Sequence, residues 1–137
     1  MAGWLVKSEP HDWSWQDQQE TTIEPWTGVR NFQAQNNMRA MKVGDLVFFY
    51  HSGKNPAIVG LCKVSKSAYP DPSDDTKRFC LVDLKAVSSA ATPVSLASIK
   101  ADPDFQHLAL VKQARLSVMP IDKEAWQKLY KMAAFPA

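Results

Sequence analysis

Leu46-Val47-Phe48-Phe49-Tyr50-His51 is the stretch on which the fold turns. Its residues are apolar toward both faces until the polar exit at His51. Such a strand is either covered on both sides or part of a closed barrel. Ala57-Ile58-Val59-Gly60-Leu61-Cys62-Lys63-Val64 follows and has the same character. Gly60 within it marks a bend, a bulge or a place where another group comes close to the backbone. Next comes the polar, proline-rich Tyr69-Pro70-Asp71-Pro72-Ser73-Asp74-Asp75-Thr76, which reads as a long hairpin loop inside one domain. Phe79 to Val87 then alternates at Val82-Asp83-Leu84-Lys85, as a half-buried strand does. Leu116-Ser117-Val118-Met119, ending at Pro120, and Trp4-Leu5-Val6-Lys7 bring the predicted strands to five.

Three helices are predicted between and after these strands. Asp122 caps the last, with Ile121 and Trp126 at the positions of a hydrophobic staple. Trp126, Leu129, Tyr130 and Ala133 fall on one apolar stripe, so Trp126 reads as core. A second helix follows Asn31 to about Met41, before the Gly44-Asp45 turn, and a third covers Val94 to Ala101. Strands of mixed spacing with inserted helices predict an α+β, barrel-like domain over 1–137. Regular strand–helix alternation and a glycine-rich phosphate loop are both missing from the sequence, which argues against a doubly wound sheet.

With 137 residues, 45% of them hydrophobic and 22% charged, the chain is long enough for one domain with its own core. No run approaches the ~20 apolar residues of a membrane helix. The apolar start, Met1 to Lys7, is too short for a signal-peptide core. The default expectation is therefore cytoplasmic in a bacterium, with the nucleus open to it in a eukaryote. Cys62 and Cys80 are separated by seventeen residues and each sits in an apolar run, which predicts reduced core thiols and no metal site. A net charge of +2 tolerates a polyanion without demanding one. No Lys/Arg block is present to coat a duplex, so any nucleic acid must be held by a local pocket.

Four polar clusters beside aromatics are left over once the core is assigned. They are Lys7-Ser8-Glu9-Pro10, Trp26-Thr27-Gly28-Val29-Arg30-Asn31-Phe32-Gln33-Ala34, Tyr50-His51-Ser52-Gly53, and Arg115-Leu116-Ser117-Val118. Each falls at the end of an element, where loops carry function. In a barrel several such ends meet at one mouth, a preferred ligand site. The chemistry suits a flat heterocycle. Trp26 or Tyr50 offers a stacking face, Ser8, Asn31, Gln33 and Ser117 offer in-plane hydrogen bonds, and Lys7, Arg30 and Arg115 can meet phosphate. Plainer readings stand beside these. Asn31 equally reads as a helix N-cap, Trp26 as a core aromatic, His51 as a strand-end histidine bonded to backbone, and Arg115 as the partner of Glu9 or Asp45 in a surface ion pair. Of Trp13 and Trp15, in polar context, one is a candidate for exposure.

The same clusters, in this order, resemble the EVE domain family of the PUA-like superfamily, related to YTH and ASCH domains. The matching segments are 4–10, 26–34, 42–52, Ile58-Val59-Gly60 and 115–118. The resemblance implies a PUA-like mixed β-barrel with helices inserted around it. It further implies a non-catalytic, cofactor-free nucleic-acid-binding module that reads a modified base, of the 5-methylcytosine type or another methylated or hydroxymethylated base, in DNA or RNA. The implied pocket maps onto Ser8, Trp26, Asn31, Tyr50, His51, Ser52, Arg115 and Ser117. Lys7, Glu9, Val29, Arg30 and Gln33 fall at its rim or toward phosphate. Phe32 stands where relatives often carry tyrosine, and Ala114 where they often carry glycine. The implied partner is nucleic acid, with no membrane, and the chain a monomer. Two other classes compete: an enzyme acting on a modified nucleobase or nucleotide through Glu9, Asp12, His51 or Ser52, and a peptide-binding module with a long apolar groove.

Overall fold

The computed structural model describes residues 3–136; Met1, Ala2 and Ala137, the ends of the predicted 1–137 domain, lie outside them. The elements are β1 (Gly3–Ser8), α1 (Trp15–Thr21), β2 (Ile23–Pro25), α2 (Phe32–Ala40), β3 (Leu46–His51), β4 (Ala57–Pro70), β5 (Cys80–Ser95), α3 (Leu96–Ala101), α4 (Ala109–Lys112), β6 (Val118–Ile121) and α5 (Lys123–Met132). A 3₁₀ turn at Pro103–Phe105 follows α3. The strands form one mixed six-stranded sheet in the order β2-β5-β4-β3-β1-β6.

β3 lies inside this sheet between β4 and β1, which is why it is apolar toward both faces. Its pairing with β1 is parallel, Leu5 opposite Phe48 and Ser8 opposite His51, while its pairing with β4 is antiparallel. The segment holding α1, β2 and α2 makes the crossover that a parallel pair requires. Pro120 sits within β6 instead of ending it; β6 is an edge strand, where a missing N–H costs no ladder bond.

The sheet is not closed, which corrects the barrel expectation. β2 and β6 are its two edges and do not pair. Side chains of α2 bridge the opening. Gln35, fully buried, donates from Nε2 to the Cys80 carbonyl at 3.0 Å and accepts the Cys80 N–H at 2.8 Å, pairing with β5 as a strand would. Asn37 Nδ2, on the same helix, donates to the Val118 carbonyl of β6 at 2.8 Å. Two side-chain amides thus satisfy backbone groups on both sides of the gap.

Gly60 marks both a register shift in β4 and a close approach. A Cβ there would lie 2.4 Å from Trp15 Cδ2, so the indole of Trp15 rests directly on the glycine backbone. Ser14 caps α1, accepting from Asp17 N at 3.0 Å while Asp17 accepts from Ser14 N, a reciprocal capping box that anchors Trp15. The predicted third helix starts at Leu96, capped by Ser95, because Val94 belongs to the end of β5. At the C-terminus Asp122 caps α5 as expected, and Trp126 stacks on Phe48 at 3.8 Å between ring centroids. No described helix is long and apolar enough to cross a membrane.

Candidate nucleic-acid interface

A polar cavity of about 510 Å³ opens between the end of β1 and the loop joining β2 to α2. That volume lies inside the range of roughly 300–1,000 Å³ typical of small-ligand pockets. Its wall is formed by Lys7, Ser8, Glu9, Asp12, Trp13, Glu24, Pro25, Trp26, Thr27, Gly28, Val29, Arg30, Asn31 and Ser117. Three of the four predicted clusters therefore meet here.

β1 supplies the floor. Lys7 N donates to the Ser117 carbonyl at 2.9 Å, extending the β1–β6 ladder, and Lys7 Nζ reaches the Ala114 carbonyl at 2.9 Å. Half-burial pushes the Lys7 ammonium below its ordinary pKa. Ser8 Oγ donates to the Trp13 carbonyl at 2.5 Å, folding the 9–13 turn back over the strand end. Trp13 is itself held by its Nε1, which donates to Gln18 at 2.9 Å.

The loop from 26 to 31 forms the opposite wall. Trp26 N donates to the Val82 carbonyl, and the Trp26 ring meets Phe49 edge-on at 5.8 Å. Only 9% of Trp26 is exposed, so it is both a core aromatic and part of the wall, with only its margin free to touch a ligand. Asn31 likewise has two duties: its Oδ1 caps α2 at Ala34 N, 2.9 Å away, and the residue lines the cavity. The amide oxygen is committed to the cap.

What fixes this loop is Asp71, a buried carboxylate from the long β4–β5 hairpin. It accepts from Gly28 N at 2.9 Å, from Arg30 Nη1 at 3.3 Å, and from Ser73 N and Oγ at 2.8 and 2.6 Å. Burial alone would raise its pKa; the bonds from Ser73, Gly28 and Arg30 together outweigh that and hold it below the usual carboxylate range. Gly28 has φ +81, a conformation that favours glycine. Gln35 Nε2 adds a bond to the Val29 carbonyl at 2.7 Å.

The remaining predicted residues lie elsewhere. Tyr50 is only 2% exposed, lies beneath Lys7 with its ring centroid 5.7 Å from Nζ, and is absent from the cavity wall, so it offers no stacking face. Burial pushes its hydroxyl up to about 12. His51 Nε2 accepts the Trp15 N–H at 2.9 Å, and Ser52 N donates to the Ser8 carbonyl at 3.0 Å. Both line a second pocket with Pro10, His11 and Gly53, which shares Glu9 with the first. A β-bulge between Phe49 and Tyr50 is what resets the side-chain alternation there. Gln33 is exposed on another face, beside Asn37 and His107. Arg115 is exposed, outside the cavity wall, and forms no ion pair among the described residues. Asp45, one of its two predicted acids, instead accepts Trp4 Nε1 at 3.0 Å.

Trp13, Glu24, Pro25, Thr27 and Gly28 join the wall without having been singled out as pocket residues. Glu24 carries a raised pKa, first from burial and then from nearby Asp83. The cavity wall thus carries both signs of charge: the carboxylates of Glu9, Asp12 and Glu24 and the cations of Lys7 and Arg30. At the exposed 9–12 turn, His11 Nε2 lies 3.1 Å from Glu9 Oε2 and 3.6 Å from Asp12 Oδ1. Among the described residues only these three bring ligand atoms close enough to hold a metal ion.

Residues 2–132 match the EVE domain family. Human thymocyte nuclear protein 1 is 34% identical to the chain over 158 residues, spanning 88% of this chain and 69% of that protein. Protein Atu2648 from Agrobacterium tumefaciens superposes with a TM-score of 0.94 at 44% identity, covering 98% of this chain and 94% of its own. The human THYN1 protein solved in complex with 5-methylcytosine containing DNA superposes with a TM-score of 0.90 at 30% identity, each chain covered completely. The chain belongs to the EVE domain family, and its open mixed sheet with surrounding helices is the α+β architecture of these relatives.

Proposed function

We propose that this EVE domain is a non-catalytic reader of a modified base in nucleic acid, acting as a monomer and holding one base in the cavity between β1 and the 26–31 loop. The observation that carries this reading is the convergence, on one cavity of about 510 Å³, of two indoles, hydroxyl and amide groups, and a loop pinned from behind by Asp71. The relative solved with 5-methylcytosine containing DNA supports a methylated base as the ligand.

A base inside the cavity meets the half-buried Trp13 and the margin of Trp26. Ser8, Asn31 and Ser117 serve its polar edge, and Pro25 and Val29 are the apolar wall for a methyl group. Glu24 and Asp12 are acceptors for an exocyclic amine, the pairing that carboxylates make with cytosine N4. The base must leave its stack to enter, at a cost of a few kcal/mol that a single strand or a mispair reduces. Burying one methyl group contributes ~0.8 kcal/mol, about fourfold in affinity. Larger discrimination requires a hydrogen bond left unmade by the wrong base.

The enzyme reading loses its best histidine, since the environment of His51 is accounted for by its bond to Trp15 N and it lies outside the cavity wall. Fluorescence polarisation at fixed salt, with DNA and RNA oligonucleotides bearing cytosine, 5-methylcytosine, 5-hydroxymethylcytosine or N6-methyladenine, tests the proposal. Thr27 is an exposed wall residue, so Thr27→Trp fills the mouth without disturbing the core. The expected result is a preference for one modified base that Thr27→Trp abolishes at unchanged melting temperature. Equal binding of every oligonucleotide by both proteins overturns the proposal.

A further inference from the structure

The cavity explains where a base goes and leaves open where its strand runs. Lys7 and Arg30 are the cations of the wall, and Arg30 stands on the loop that leads into α2, which offers a strand a way out across that rim. Beyond Arg30 lies a surface that the cavity does not use. Phe32, the first residue of α2, is 65% exposed, and its ring stacks on Phe79 at 5.7 Å between centroids and 29° between planes. The Arg30 guanidinium lies 4.9 Å from the Phe79 ring centroid and the Arg78 guanidinium 5.5 Å from it. Arg39 Nη2 donates to the Arg78 carbonyl at 2.8 Å, bringing a third guanidinium to the same face. Three acids of the hairpin lie nearby, and one of them, Asp71, pairs with Arg30 at 3.3 Å. Asp74 is occupied by Thr76 and by the backbone N–H groups of Arg78 and Phe79; Asp75 is exposed.

An exposed aromatic platform ringed by cations is the arrangement that binds single-stranded nucleic acid, bases stacking on the ring while cations follow the backbone. Core packing gives no reason for Phe32 to be out in water, and its neighbour Asn31 is on the cavity wall. We propose that Phe32, backed by Phe79 and flanked by Arg30, Arg39 and Arg78, is a stacking platform for the nucleotide next to the captured base. This rests on the nucleic-acid reading of the cavity and adds a second, sequence-independent contact to it. The platform sets affinity; the cavity sets which base is preferred.

The test uses the full chain and nine-nucleotide single-stranded DNA with a central 5-methylcytosine, the same strand with cytosine, and free 5-methyldeoxycytidine. Phe32→Ala is compared with Val43→Ala, which removes an equally exposed apolar side chain on a turn outside the cavity wall. Phe32→Ala is expected to weaken both oligonucleotides by at least about fivefold, the low end of base-on-aromatic stacking. The ratio between the two strands and the affinity for free nucleoside stay as in the parent. Arg78→Ala is expected to reduce the slope of log K against log salt by about one phosphate contact. Oligonucleotide affinity within twofold of parent in Phe32→Ala overturns the platform. So does an altered ratio between strands at unchanged cytosine-strand affinity, because Phe32 would then be acting on the cavity. A parent protein that binds both strands equally overturns the base-reading proposal instead, and the platform is still judged by the effect of Phe32→Ala on both strands. A parent that binds neither strand overturns both.

Discussion

Replacing Asp71 by alanine removes the group that positions one wall of the cavity, and its cost can be worked from its four hydrogen bonds. Two donors are backbone N–H groups, of Gly28 and Ser73; the others are the Ser73 hydroxyl and Arg30. In a sealed core, charge-assisted bonds are worth ~1.5–3 kcal/mol each, and four would exceed the stability of many domains. These donors lie on exposed loops where water replaces the carboxylate, so about 0.5–1 kcal/mol each is the better figure. Arg30, partly exposed, falls at the low end. The sum is about 2–3 kcal/mol. For a chain of 137 residues this corresponds to a fall in Tm of about 7–10 °C. Asp71→Asn, which keeps one acceptor oxygen, should lose about half as much. The assay is thermal unfolding of Asp71→Ala, Arg30→Ala and the double variant, followed by circular dichroism, with oligonucleotide binding measured on each. Arg30→Ala alone should cost less than about 1 kcal/mol, and the coupling between the two should be a minor part of the Asp71 effect. A loss below about 0.5 kcal/mol in Asp71→Ala, or a coupling as large as the whole effect, would refute the claim that this carboxylate holds the Gly28 backbone.

Other consequences follow from single contacts. Gly60→Ala drives a methyl group into the Trp15 indole, with Cδ2 only 2.4 Å from the new Cβ, and should cost about 3 kcal/mol, read as a Tm roughly 10 °C lower; an unchanged Tm would show that Trp15 does not rest on Gly60. Gln35→Leu keeps the volume but orphans the Cys80 N–H and carbonyl and the Val29 carbonyl, and should lose about 2–4 kcal/mol in urea unfolding, where a loss under 1 kcal/mol would contradict the bridging role. His51 has a pKa held below its ordinary 6.5 by burial, and its Nε2 must be neutral to accept the Trp15 N–H. The unfolded chain takes up this proton near pH 6.5 and the folded chain only at lower pH, so the stabilisation present above 6.5 is lost as pH falls toward the folded value. The parent should therefore lose stability between pH 7 and 5 while His51→Gln changes less, and parallel pH profiles would dispose of this assignment.

Much of this architecture could be read from local pattern. The interior position of β3 is written in Phe48 and Phe49, apolar on both faces, and the helix caps at Asn31 and Asp122 in side-chain oxygens placed just before helical runs. Gly60 announced a close approach, though not that Trp15 makes it. What stayed hidden depends on partners distant in sequence. β2 is three residues with a proline and acquires its identity only by pairing with Asp83, Leu84 and Lys85. The open sheet edge is invisible because Gln35 and Asn37 look like ordinary polar helix residues until Cys80 and Val118 are set beside them. The cavity was legible in part. Lys7 to Glu9, Trp26 to Arg30, Asn31 and Ser117 converge on it, whereas the polar exit of β3 turns away after the Phe49/Tyr50 bulge and serves α1. Asp71, in a loop rich in Asp and Pro, gave no local sign that its carboxylate is buried behind Gly28.

The five tryptophans provide the most direct test of the central claim, because their indole N–H signals report from separate places. Trp13 and Trp26 line the cavity; Trp4, bonded to Asp45, and Trp126, stacked on Phe48, do not. Two-dimensional ¹H–¹⁵N spectra of the labelled chain would be recorded during titration with a 5-methylcytosine oligonucleotide and with its cytosine counterpart. The account predicts that the modified strand shifts the indole signals of Trp13 and Trp26 and the amides of 27–31, saturating at lower concentration than the unmodified strand, while Trp4 and Trp126 stay in place. Shifts centred on Trp4 or Trp126, or identical titrations by the two strands, would contradict it.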